Sequence, residues 1–267
     1  MERAPERRYV ACDAVTSRVE QATAAVAGAE RIAVLAGAGI STDSGIPDFR
    51  GPNGVWTQDP AAEKRATIDH YIASREARQA SWERLASRGS DGRQPNAGHL
   101  ALLELERSGR LLRLVTQNVD GLHHAAGHDP ARITEVHGNL REVKCLSCGR
   151  RWPVAVVLAR VEHGEDDPAC EVCGGILKAA VVSFGEGLDP ADIAACEQAA
   201  IECDLLLAVG TTLGVYPVAA MVPLAAQRGA TVIIVNAEPT EMDGLADIVV
   251  ADSLSDALPV ICGGLSR

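Results

Sequence analysis

Apolar positions along this chain fall into two patterns. Segments 32–36, 205–209, 231–235 and 248–250 are apolar at nearly every position. Such short unbroken runs are expected of strands buried on both faces of a parallel sheet. Segments 111–115, 132–136 and 180–184 bring the predicted strands to about seven. Between them lie helical stretches at 12–29, 96–106, 190–202 and 216–228. Gly28 is placed to stop the first, Asn96 to cap the second, and the last starts near Pro217. Strands interleaved with helices predict an α/β fold, a doubly wound parallel (Rossmann-like) sheet.

Two stretches break that alternation. Residues 52–95 carry no strand signal. They open on a loop anchored by Trp56, continue as two helices over 61–88 with scattered Ile68, Tyr71, Ile72, Trp82 and Leu85, and end in a loop at 89–96. This reads as a helical insertion over a cleft, and its weak apolar stripe predicts mobility. Residues 141–178 read as Gly-, Pro- and Asp-rich with little apolar content. They hold Cys145-x-x-Cys148 and, 21 residues on, Cys170-x-x-Cys173. Two such pairs predict a zinc ribbon. Four thiolates fill a tetrahedral shell, so the ion is expected to be structural, unlike the open metal site of a hydrolase. The expected division is 1–51, 96–140 and 179–267 as a nucleotide-binding domain, with 52–95 and 141–178 forming a small second one.

Candidate chemistry gathers where predicted strands end, the usual ligand position of such sheets. The first strand runs into Gly37-Ala38-Gly39 and then Ser41, Ser44 and Gly45. A glycine turn opening a helix presents free N–H groups to a pyrophosphate. Pro47 is expected to end that helix, and Asp48-Phe49-Arg50 to fold back over the ligand. Later strands end in Gln117-Asn118-Val119-Asp120, His137-Gly138, Gly210-Thr211-Thr212 and Asn236-Ala237-Glu238. Ser253-Leu254 follows the last. By spacing alone, Gly37-x-Gly39 with a late Gly45 is a weak dinucleotide fingerprint, and no acid closes a second strand. A lone His at a strand end is more often merely capped.

The full string GAGISTDSGIPDFRG resembles the signature of the sirtuins, NAD-dependent protein-lysine deacylases. TQNVDGLH, the HG at His137, the paired CxxC and the GTTL turn resemble theirs as well, so the likeness covers about 32–254. It implies NAD as co-substrate. The implied contacts are Gly37, Ala38, Gly39, Ser41, Asp48, Phe49, Arg50, Gln117, Asn118, Asp120, Gly210, Thr211, Thr212, Asn236, Glu238 and Leu254. His137 is implied to be the catalytic base, with Asn118 a second catalytic residue, and His123 is held in reserve. In the implied reaction the acyl-lysine oxygen attacks the ribose carbon as nicotinamide leaves, and the acyl group ends on ADP-ribose. Val182, Phe184 and Gly185 are implied to pair edge-on with the acylated peptide. Lys178-Ala179-Ala180 and Ser183 depart from the family pattern there. Sirtuins that prefer acidic acyl groups carry Tyr-x-x-Arg, and Ser81-Trp82-Glu83-Arg84 lacks the tyrosine, which favours acetyl or apolar acyl groups. An ADP-ribosyltransferase shares every motif. A non-enzymatic NAD-binding module is the other alternative, and the glycine spacing and thiolate module argue against a dehydrogenase.

Charge and composition narrow the partners. The formal net charge of −11 argues against non-specific nucleic-acid binding and suits cationic, lysine-bearing partners. No apolar run approaches the ~18 residues of a membrane span. The charged N-terminus lacks a signal-peptide core, so a cytoplasmic location is expected. The excess of Arg and Ala over Lys suggests bacterial coding. Cys12, Cys196, Cys203 and Cys262 are expected as buried thiols.

Overall fold

The computed structural model describes residues 9–88 and 92–263, with side chains from residue 18 onward. The N-terminal charged run, the Cys12 side chain and residues 89–91 of the predicted loop lie outside that range. Six parallel strands form the main sheet in the order β3-β2-β1-β7-β8-β9. They are β1 (Ile32–Ala36), β2 (Leu111–Thr116), β3 (Ile133–Glu135), β7 (Leu205–Val209), β8 (Thr231–Val235) and β9 (Ile248–Val250). The chain works outward from β1 to β3, then crosses to β7 and works outward again. The strand order therefore reverses between β1 and β7. Ala36 pairs with both Thr116 and Val209, and Val209 with Val235. The carboxyl ends are level, so the residues after them share one edge.

The four central strands, β2, β1, β7 and β8, feed two cores. Ile32, Val34 and Ala36 face a core shared with α1 (Tyr9–Gly28), α6 (Ala97–Arg107) and α11 (Leu254–Gly263). Ala33 and Leu35 face α9 (Pro190–Glu202) and α10 (Met221–Gln227). Asn96 caps α6 in a reciprocal box with His99. α11 escapes sequence patterning because Pro259 sits inside it and reads as a breaker.

The remaining elements form a second unit. β4 (Gly138–Cys145), β5 (Arg151–Pro153) and β6 (Leu177–Val181) make an antiparallel sheet in the order β5-β4-β6. The strand expected at 180–184 in the parallel sheet is thus β6, shifted and in the other sheet. α8 (Val154–Glu162) overturns the reading of 141–178 as poor in apolar residues: Val157 is buried, with Val154, Leu158 and Val161 packed around it. The two helices expected over 61–88 are α3 (Ala61–Arg65), α4 (Ile68–Ala73) and α5 (Arg75–Arg88), preceded by α2 (Val55–Gln58). Trp82 and Leu85 of α5 enter one core with Val143, Val157 and Leu177. Tyr71 Oη donates to the Leu177 carbonyl at 2.8 Å, and Arg78 binds Asp167 at 2.7 Å. The insertion is therefore anchored to the cysteine module through α4 and α5.

Candidate active site and metal centre

The level carboxyl ends of the main strands open onto one cavity of about 2100 Å³. Gly37, Ala38, Gly39 and Ser41 line it, as do Asp48–Arg50, Gln117, Asn118, Asp120, His137, Gly210–Thr212, Asn236, Glu238 and Leu254. Every predicted nucleotide contact therefore reaches one space.

The glycines have a steric reason beside the expected one. A Cβ on Gly37 would lie 2.6 Å from the Gly210 carbonyl, and one on Gly39 2.8 Å from Gly210 Cα. A Cβ on Gly210 would meet the Ile40 nitrogen at 2.5 Å, and Gly210 has φ +60°. The turns after β1 and β7 interlock backbone to backbone. Gly37 N–H donates to Val209 O and Gly39 N–H to Gly210 O. The element that follows is a seven-residue 3-10 helix, Ala38–Ser44, stopped by Gly45 at φ +79° before Pro47 is reached. Among the described residues, the amides of Ala38, Thr211 and Thr212 at these two turns donate to nothing.

A polar network joins β1 to β2. Asn118 Nδ2 donates to the Gly37 carbonyl at 3.0 Å and to Ser41 Oγ at 3.3 Å. Ser41 Oγ donates to Asp120 Oδ2 at 2.7 Å. Gln117 Nε2 donates to Thr211 Oγ1 at 2.9 Å, bridging to β7. The Gln117 carbonyl accepts from His137 Nδ1 at 3.0 Å. A carbonyl only accepts, so Nδ1 carries the proton and Nε2 keeps its lone pair. Burial pushes the His137 pKa below its ordinary value, against the raising effect of that hydrogen bond. The ring is a neutral base at physiological pH.

Three aromatic rings form the cover. Phe49 and Trp56 stand 4.7 Å apart, Trp56 and Phe184 5.3 Å, and the Arg50 guanidinium lies 4.5 Å from the Trp56 centroid. Asp48 Oδ1 accepts from Gly51 N, so its side chain shapes its own loop. Asn236 Nδ2 likewise binds the Glu238 carbonyl. Leu254 is buried and packs against Gly210.

The predicted substrate edge is partly taken. Phe184 N–H donates to Ala66 O, and its carbonyl accepts from Ile68 N. Val182 N–H donates to the His137 carbonyl. Of the three, Gly185 has the N–H that donates to nothing among the described residues. Beneath this segment Glu186 binds both Lys144 (2.8 Å) and Lys178 (2.7 Å). Burial works to raise the Glu186 carboxyl, but hydrogen bonds from the two lysines overcome it and hold it at about 2.

The reserve residue His123 lies below the site. It packs between His99 and His128, with ring centroids 4.9 and 5.6 Å away. Its two ring nitrogens, and Nε2 of His99 and His128, are buried without partners among the described residues.

The four cysteines converge. Cys145 and Cys173 Sγ are 3.5 Å apart, Cys148 and Cys170 3.8 Å, and all four lie within 4.8 Å of one another. A tetrahedral ion about 2.3 Å from each sulfur sets them about 3.8 Å apart. Gly149 and Gly174, both at φ +70°, close the two knuckles. The donor set fits Zn²⁺ and leaves no position for water. Cys196, Cys203 and Cys262 are buried thiols, pushed up to about 12, 11 and 12 by burial.

The sequence profile of the Sir2 family matches residues 37–217. The chain belongs to the Sir2 family. A Streptomyces coelicolor protein named NAD-dependent protein deacetylase 2 is 48% identical over 238 residues, 89% of this chain and 99% of its own length. A solved Sir2–p53 peptide–NAD+ complex matches with TM-score 0.80 at 29% identity, covering 93% of this chain and 99% of that chain. A Sir2 variant with deacetylated p53 peptide and 3'-O-acetyl ADP-ribose matches with TM-score 0.82 at 28% identity, with the same coverage. This Sir2 chain also lines its cavity with residues that sequence reasoning missed, chiefly Trp56, Val215, Tyr216 and one face of α9. The Gly-x-Tyr-Pro breaker after β7 was the available signal for Val215 and Tyr216. None of the described helices is long and apolar enough to cross a membrane.

Proposed function

We propose that this chain is an NAD-dependent protein-lysine deacylase, with acetyl or apolar acyl groups as its substrates. The carrying observation is His137: a half-buried neutral imidazole, fixed through Nδ1, whose Nε2 retains its lone pair. The cavity fits a dinucleotide. It runs along the ends of β1, β2, β7 and β8 and offers unpaired amides at Ala38, Thr211 and Thr212 for a pyrophosphate. Bound NAD supplies a ribose carbon from which nicotinamide departs and an ADP-ribose acceptor for the acyl group. His137 Nε2 takes a proton from a ribose hydroxyl. Asn118, with its Nδ2 donating to Gly37 and Ser41, keeps Oδ1 as an acceptor toward the leaving group. Gln117, Ser41 and Asp120 hold the ribose side. Phe49 and Trp56 exclude water, and Arg50 meets phosphate. Asn236, Glu238 and Leu254 serve the adenosine end.

The acylated lysine segment pairs with backbone near Val182, Phe184 and Gly185. Ser81 and Arg84 line the cavity on α5, and Tyr71, which lines it too, has its hydroxyl committed to the Leu177 carbonyl, which supports the apolar preference. With this reading goes the division of 1–51, 96–140 and 179–267 as the NAD-binding domain, and 52–95 with 141–178 as the small one; β6 straddles that last boundary. The four thiolates hold a structural zinc.

Mass spectrometry of purified protein with an acetyl-lysine peptide, with and without NAD, tests the reading beside His137→Ala. Loss of acetyl with release of nicotinamide and acetyl-ADP-ribose is expected, falling at least about 10²-fold in the variant. NAD consumed with ADP-ribose on protein and the acetyl group intact would replace this reading with ADP-ribosyl transfer.

A further inference from the structure

The cavity continues past His137 as an open groove between the β6–α9 connection and the turn after β7. One wall is Pro190, Ile193, Ala194 and Glu197, spaced i, i+3, i+4 and i+7 along α9 and therefore on one face. The opposite wall is Val215 and Tyr216, the latter 65% exposed. The amides of Gly187 and Leu188 on one rim, and of Gly214 and Tyr216 on the other, donate to nothing among the described residues. The groove thus offers apolar walls and unpaired backbone to an extended segment.

Its charge has one sign. Between Lys178 and Arg228 the chain carries no Lys, Arg or His and six acids. Four of the six are engaged. Glu186 is neutralised by two lysines, and Asp189 caps α9 through Ala191 N. Glu202 accepts from Gln198, and Asp204 from the amides of Glu30 and Arg31. Asp192 and Glu197 have no hydrogen bond or ion pair among the described residues, and of the two Glu197 lines the groove. The cations whose fields reach this part of α9, Arg113 and Arg151, are committed to the Ala131 carbonyl and the Glu142 carboxylate. Burial and then the charge of Asp189 push the Asp192 carboxyl up.

We propose that Glu197 is a specificity-determining residue that selects acylated segments bearing Lys or Arg within about four residues of the acyl-lysine. This rests on the deacylase reading above. A solvent-exposed charge pair of this kind corresponds to about three- to fivefold in affinity and fades as salt rises.

The test uses fluorescent acetyl-lysine peptides, one neutral and the rest with a single Lys moved through four positions on either side. Dissociation constants are read by anisotropy without NAD, and kcat/KM with it, at low and high salt. At one or two positions Lys should improve both about three- to fivefold over the neutral peptide. Glu197→Gln should remove that gain, and Glu197→Lys should shift the preference to Glu at the same positions. Asp192→Asn should leave most of it. A gain that survives in both Glu197 variants, or no position that separates Lys from Ala, would overturn the proposal. If no peptide loses acetyl, the deacylase reading fails, while the anisotropy arm still decides whether Glu197 selects cations.

Discussion

The six-stranded sheet and the three-stranded sheet solve the same problem with different chemistry. The first buries Ile, Val, Leu and Ala on both faces, and all five side chains of β1 and of β7 are fully enclosed. Its stability comes from apolar area. The second has a small core, seven buried residues of which two are the cysteines Cys145 and Cys170. A core of that size needs a metal or another cross-link to hold it. Its other ties are polar: Tyr71 to Leu177, Arg78 to Asp167, Glu186 to two lysines. Apolar packing thus carries the six-stranded unit, while the three-stranded unit leans on polar ties and a four-thiolate site that fits a zinc ion.

Removing the ion should break the comparison most sharply. Chelation, or Cys170→Ser, should release one zinc per chain and lower deacetylation at least about a hundredfold. Hydrogen exchange should show β4–β6 losing protection while β1, β7 and β8 keep theirs; equal loss in both sheets would mean that the two units are one. Trp82→Ala should cost about 3–5 kcal/mol, again confined to the small unit, in chemical unfolding followed by exchange. On the other side, Gly210→Ala forces a Cβ into backbone at a positive φ. It should cost about 3 kcal/mol, a fall in Tm of about 6–12 °C by calorimetry.

The smallest effect sharpens the contrast through pH. Burial holds His99 at about 4, against an ordinary 6.5, and pushes His123 down as well. A histidine with a depressed folded pKa takes up its proton more readily when unfolded. Its contribution is complete above about 6.5 and is lost as pH falls through about 4, up to about 3 kcal/mol for His99. Urea unfolding between pH 7 and 4 should show this slope in the main sheet, and His99→Gln should flatten it.

Much of this was legible in the residues. The runs at 32–36, 205–209, 231–235 and 248–250 became strands with those bounds, because burial on both faces leaves an uninterrupted apolar signal. The cysteine spacing disclosed its cluster, and the motif strings disclosed the cavity wall. The small unit was harder to read. β4 spells GNLREVKC with a broken alternation, since its stability comes from ligation and cross-module packing. α8 was hidden by averaging composition over 141–178, although Val154 to Val161 is plainly apolar. Phe184's pairing with Ala66 and Ile68 joins distant segments through backbone groups, which carry no side-chain signature. The glycine pattern stood out in the sequence, but the steric reason for it lay in a second turn far along the chain.

That interlock has an evolutionary consequence. When two side chains collide, a lineage can repair an enlargement on one side by a reduction on the other. Gly37, Gly39 and Gly210 touch backbone, and backbone has nothing left to trim. No substitution at the partner turn makes room for a side chain at any of the three, so the geometry holds each of them as glycine.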